Sequence, residues 1–149
     1  MLNWLKDSAS SVRQGLQNEV GKFKNREFME AVVAGCAIVA AADGDISGKE
    51  KQKMIGFMQS SDELKVFKVE DVIAFFNQMA AKFEFDREIG RAEALKVIGK
   101  LKKNEGAARI MVRVCCVIGG SDGTFDEAEK TAVRGICVEL GLSPAEFEL

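Results

Sequence analysis

Apolar residues recur every three or four positions along almost the whole chain, and this spacing commits it to helices. Leu5, Ala9, Val12, Leu16, Val20 and Phe23 predict an amphipathic helix over about 3–23. A second segment, about 26–42, is apolar on most sides and belongs at the centre of the fold. A third, about 47–59, carries Met54, Ile55 and Met58, and a fourth is marked by Val69, Val72, Ile73, Phe76, Met79, Ala80 and Phe83. The fifth uses Ile89, Ala92, Leu95, Ile98 and Leu101 and ends in lysines, which suit a helix C-terminus. The sixth, about 107–121, is again almost wholly apolar. The seventh carries Ala128, Ala132, Val133, Ile136, Cys137 and Leu140, with Gly141 as its terminator. No tyrosine, one proline and two threonines argue against a sheet. The expectation is an all-α, single-domain bundle of about seven helices, with residues 1–25 forming an N-terminal helix packed on a helical domain of residues 26–149. In the tail, Ser143, Pro144 and Glu146 read as N-cap, first and third positions of a final turn, stapled by Leu142 and Phe147.

Several function classes are excluded early. The chain has no histidine, which removes the commonest general base, every Ser-His-Asp or Cys-His arrangement and every histidine-containing zinc site. Twenty-one basic residues against 23 acidic ones, a net charge of −2, argue against a dedicated nucleic-acid binder. That charge is unevenly placed. Residues 82–113 hold nine basic and five acidic side chains, a balance of +4, whereas residues 122–149 hold two and seven, a balance of −5. Solvated helix faces account for most such clustering, and a dipolar surface that meets charged partners is the alternative. The longest apolar run, residues 31–42, is too short to span a bilayer and too far along to be a signal sequence, so a cytoplasmic protein is expected. Cys36, Cys115, Cys116 and Cys137 form no CxxC pair and lie in apolar runs, as buried reduced thiols do.

An internal repeat carries the functional signal. The segment from Cys36 through Asp43-Gly44-Asp45-Ile46-Ser47 to Glu50-Lys51 aligns, at an offset of 79 residues, with that from Cys115 through Asp122-Gly123-Thr124-Phe125-Asp126 to Glu129-Lys130. Gly56 and Gly135 extend the match into the next helix. Two helix-loop-helix units in a pseudo-twofold arrangement are implied. As capping chemistry, Gly44 and Gly123 end one helix in the left-handed conformation, and Ser47 and Asp126 cap the next. Glu50 and Glu129 complete capping boxes, and Ile46 and Phe125 plug into the core.

Capping leaves Asp43 and Asp122 unexplained, since each sits at a helix C-terminus where negative charge is unfavourable. A compensating cation is called for, either Lys51 or Lys130 or a bound metal. Asp43, Asp45 and Glu50 lie within eight residues of one another, as do Asp122, Asp126 and Glu129, and these six carboxylates are the candidate ligands. Hard oxygen donors favour Ca²⁺, with Mg²⁺ or Mn²⁺ as alternatives, over Zn²⁺. The loops are not EF-hands, because the twelfth position is Met54 or Val133 instead of a bidentate glutamate.

The duplicated apolar-helix–Asp-Gly–Glu pattern, with a Phe/Met-rich helix between its copies, resembles the TerB-like tellurite-resistance family, which includes N-terminal domains of certain membrane-anchored co-chaperones. The likeness runs from about Glu27 to the end. It implies an all-helical cytoplasmic protein of bacterial stress response that chelates metal through Asp43, Glu50, Asp122 and Glu129. It also implies association with an integral membrane protein of the tellurite-resistance cluster and with that cluster's calcium-binding cytoplasmic proteins. Asp45 is matched by Thr124 and Ser47 by Asp126, so the flanking acidic positions differ between copies. The expected function is that of a non-enzymatic, metal-binding interaction module, possessing no catalytic residues. A thiol-dependent enzyme or chelator acting on tellurite is the alternative, opposed by cysteines set in apolar helices. Trp4, with Leu2 and Leu5 beside Lys6, raises a further possibility of contact with a membrane surface, and covering the bundle core is the competing explanation.

Overall fold

The computed structural model describes residues 4, 25–42, 44, 49–59, 67–120 and 125–149. Six α-helices and two short 3-10 helices make up these residues, and no strand occurs among them. The helices are α1 (Arg26–Ala42), α2 (Lys49–Gln59), α3 (Val69–Phe85), α4 (Arg87–Gly99), α5 (Glu105–Gly119) and α6 (Glu127–Leu140). They are the second to seventh helices that the periodicity predicts. Of the expected helix over 3–23, only Trp4 falls within the described residues.

Helix α1 is the centre of the bundle. Asn25 starts it, its side-chain oxygen accepting from the Phe28 amide at 2.8 Å. Every residue from Phe28 to Ala40 except Glu30 is buried, so the helix is covered all round, packing on α2, α3, α4, α5 and α6. Small residues permit the closest of these approaches. A methyl group at Gly35 would lie 2.5 Å from Met111 Cε and 2.6 Å from Cys115 Sγ, so side chains of α5 press on the α1 backbone there. Helix α5 begins at Asn104, whose side chain accepts from the Ala107 amide at 3.1 Å.

The two repeat units pack as a symmetric pair would. Each first helix, α1 or α5, touches its own second helix, the other first helix and the other unit's second helix. The copies differ at one boundary. Helix α1 continues to Ala42, but α5 stops at Gly119, two residues earlier in the repeat register, where Gly119-Gly120 replaces Ala40-Ala41 and lowers helix propensity.

Between the units lie α3 and α4, joined by the single residue Asp86. Its backbone is extended, and its carboxylate accepts from the Glu88 and Ile89 amides at 2.9 and 3.1 Å, ending one helix and starting the next. The corner is tight because Gly90 rests on Phe83: a Cβ there would stand 2.6 Å from Phe83 Cα. This contact turns α4 by about one residue from the face that apolar spacing suggests. Gly90, Ala94 and Ile98 are buried, while Ile89 is 47% exposed.

Helix α6 ends as expected at Gly141, with φ +73° and the Leu142 amide donating to the Cys137 carbonyl at 2.9 Å. The final 3-10 turn, Pro144–Phe147, packs on the body through fully buried Phe147. Ser143 makes no side-chain cap. Glu146 instead meets Arg109 Nε at 3.0 Å, an ion pair that outcompetes reaching back to a one-turn helix. Arg113 lies over the Phe147 ring at 5.2 Å, and Trp4 Nε1 donates to the Phe147 carbonyl at 3.2 Å. No helix among the described residues is long and apolar enough to cross a membrane.

Candidate functional site

The described half of the repeat motif sits at the start of α6. Asp126 is the N-cap, in extended conformation, and its Oδ1 accepts from the Glu129 amide at 2.8 Å. Glu129 Oε1 accepts in return from the Asp126 amide at 3.1 Å, closing the capping box that the sequence predicts. The box fixes both carboxylates at the start of α6, each relieving an amide that the first helical turn leaves unpaired. Phe125, one residue before, is 6% exposed and fills the core as anticipated.

Glu129 is 3% exposed, the one charged side chain buried among the described residues. Its second oxygen, Oε2, points to the end of α5. A methyl at Gly119 would be 3.6 Å from it, 3.4 Å from Phe125 and 3.5 Å from Val39. The last turns of α1 and α5 and the first turn of α6 therefore meet at one place.

The first copy is seen in part. Gly44 has φ +81°, and its amide donates to the Ala41 carbonyl at 3.0 Å, the left-handed cap that the repeat calls for. Glu50 lies in the first turn of α2, and its side chain is outside the described residues. Asp43, Asp45, Asp122 and Gly123 also lie outside them. Among the described residues no three Asp, Glu or Cys side chains cluster as a metal site would.

Of the cations considered for Asp43, Lys51 donates to Asn77 Oδ1 at 3.4 Å. A different cation, unmarked in the sequence, stands near the loop: Arg87 Nη2 would be 3.5 Å from a methyl at Gly44. Arg87 belongs to α4, and only the Asp86 corner brings it there.

All four cysteines are buried and unbridged. Burial pushes the Cys116 thiol well up, and pushes Cys137 up to about 11, so the reactive thiolate is suppressed at both.

Fold and sequence together define an all-helical bundle built on a duplicated helix-loop-helix unit with an acidic motif in each copy. The chain belongs to the TerB family: the family model described as "Tellurite resistance protein TerB" matches residues 29–149. A curated relative, "Tellurium resistance protein TerB" of Alcaligenes sp., is 47% identical over 110 residues, spanning 74% of this chain and 90% of the relative. No solved structure gives a significant match.

Proposed function

We propose that this TerB-family chain is a non-enzymatic, divalent-metal-binding interaction module that acts at the cytoplasmic face of a membrane-bound tellurite-resistance complex. The observation that carries this reading is the pairing of Asp126 with buried Glu129 beside the end of α5, where the Asp122 loop departs. Asp126 and Glu129 fit a hard cation chemically, since their carboxylates offer only oxygen donors and are both fixed at the first turn of α6. In the full site Asp122 joins them, and Asp43, Asp45 and Glu50 form the equivalent set in the first copy. Ca²⁺ is the expected ion, with Mg²⁺ or Mn²⁺ next. Bound there, it supplies positive charge at the negative ends of α1 and α5 and ties the loops to the helices that follow. The absence of histidine and the suppressed thiolates favour this reading over thiol chemistry on tellurite.

The test is Glu129→Gln. Glutamine can complete a capping box, so without metal the variant should melt close to wild type. A metal that binds only the folded protein adds about 2.7 kcal/mol at 100 times its dissociation constant. Thermal melts in EDTA and in millimolar Ca²⁺ should show that increment for wild type and its loss in the variant. Equal melting with and without Ca²⁺, Mg²⁺ or Mn²⁺ would overturn the metal reading.

A further inference from the structure

We infer that Arg87 is the resident counter-charge of the first acidic loop, a fixed cation that offsets the loop's aspartates without metal and opposes a divalent ion that binds them. The opposition to metal rests on the function proposed above, whereas the counter-charge role stands without it.

Two charges here are each misplaced against their own helix. Asp43 follows the last residue of α1, at the negative end of that helix's dipole. Arg87 is the first residue of α4, at the positive end of its dipole. The α3–α4 corner brings the arginine to the loop. Asp86 turns the chain, Gly90 lets α4 close on Phe83, and Arg87 Nη2 comes 3.5 Å from where a Cβ on Gly44 would be. Covalent geometry sets the rest. Asp43 and Asp45 adjoin Gly44, so their Cα atoms lie within about 9 Å of that guanidinium whatever the course of the loop. Lys51, the basic residue that the repeat itself offers, is drawn to Asn77 Oδ1 instead.

Arg87 has other acidic neighbours. Glu84 and Asp86 line the same cleft of about 400 Å³ as Gly44 and Arg87, and Glu127 lines the adjoining one. Asp86 is engaged in capping α4, and Glu127 is held by Arg134 at 3.0 Å. Coulomb potentials add, so these carboxylates do not alter the change made when Arg87 alone is neutralised. Arg87 need not be unpaired to act on the loop. A divalent ion held by Asp43 and Asp45 feels that positive charge at twice the strength that one carboxylate does, and with the opposite sign.

Two measurements test this, the first without metal. In EDTA at an ionic strength of about 10 mM, thermal melts of wild type, Arg87→Gln, Asp43→Asn and the double variant form a cycle. Asp43→Asn should raise the melting temperature by about 1 °C more in the Arg87→Gln background than in wild type, because there the aspartate has lost its counter-charge. That difference should vanish in about 0.5 M KCl. The second is calorimetric titration of Ca²⁺ into Glu129→Gln protein, whose second motif lacks one carboxylate, so that the first copy is read. Arg87→Gln should tighten Ca²⁺ about three- to fivefold at the lower ionic strength. Lys96→Gln makes the same change of net charge about 13 Å further along α4 and should tighten it less than about twofold. An additive cycle in EDTA would overturn the counter-charge whatever the metal does. A coupled cycle with no Ca²⁺ bound would keep the counter-charge and overturn the metal reading. Equal Ca²⁺ affinity with and without Arg87, or a Lys96→Gln gain as large as that of Arg87→Gln, would overturn the opposition between arginine and ion.

Discussion

Replacing Gly35 by alanine sets helix propensity directly against packing. Alanine favours the helical state of α1 by about 1 kcal/mol. Against this, the new methyl would sit 2.5 Å from Met111 Cε and 2.6 Å from Cys115 Sγ, each roughly an ångström inside a comfortable contact of about 3.5–4.0 Å. Met111 can bend its chain, but at 0% exposure it has little space to enter. The Cys115 sulfur, one bond from its Cβ and 1% exposed, can move only by turning about χ1 into a filled core or by a shift of α5. Overpacking of this kind usually destabilises by about 1–3 kcal/mol, so packing should win and the variant should lose roughly 1 kcal/mol net. Cys115→Ala alone should also lose on the order of 1 kcal/mol, from the small cavity it leaves. Combined, the two changes should compensate, because the methyl at residue 35 enters the space the sulfur vacated. Urea titrations of the four proteins, followed by far-UV circular dichroism, measure the coupling, expected at about 1 kcal/mol in favour of the double variant. A cycle additive within about 0.5 kcal/mol, or a stabilised single Gly35→Ala variant, would refute the close α1–α5 crossing.

Gly90→Ala should be worse, losing about 3 kcal/mol or preventing folding, because its Cβ meets the Phe83 backbone at 2.6–2.7 Å and no side-chain rotation relieves that; thermal melts will show the loss. The Cys137 thiol, pushed up to about 11 from an ordinary 9.0, binds its proton more tightly when folded than when unfolded. Its contribution is therefore complete below about pH 9 and disappears as pH rises through 11, so between those values wild type should lose stability faster than Cys137→Ala in denaturant titrations.

What the sequence reveals and what it hides follow from range. The buried helices are legible because an apolar period is a local property, and Gly44 and Gly141 are legible because a left-handed cap is decided within a few residues. The Asp126–Glu129 box is visible for the same reason. The α3–α4 corner is less so: the buried face of α4 is set by Gly90 meeting Phe83 across a turn, and periodicity alone selects Ile89 instead. The cleft lined by Ile38, Phe83, Arg87, Arg91 and Ala132 is invisible to any linear pattern. Its residues come from α1, α3, α4 and α6, and Arg91 passes close over Gly135, 44 positions away. The cation near Gly44 is hidden likewise, since Arg87 is remote in sequence while Lys51, close by, turns to Asn77.

The clasp between residues 4 and 147 has an optical consequence. Trp4 is the sole tryptophan, and the chain has no tyrosine to contribute competing emission. Its indole N–H is tied to the Phe147 carbonyl at 3.2 Å, so intrinsic fluorescence reports the fastening of the two ends and is nearly blind to the helical interior. Circular dichroism, by contrast, sees the helices. Any interval between the two signals as the protein is heated would time the release of the clasp against the melting of the bundle, with no label added.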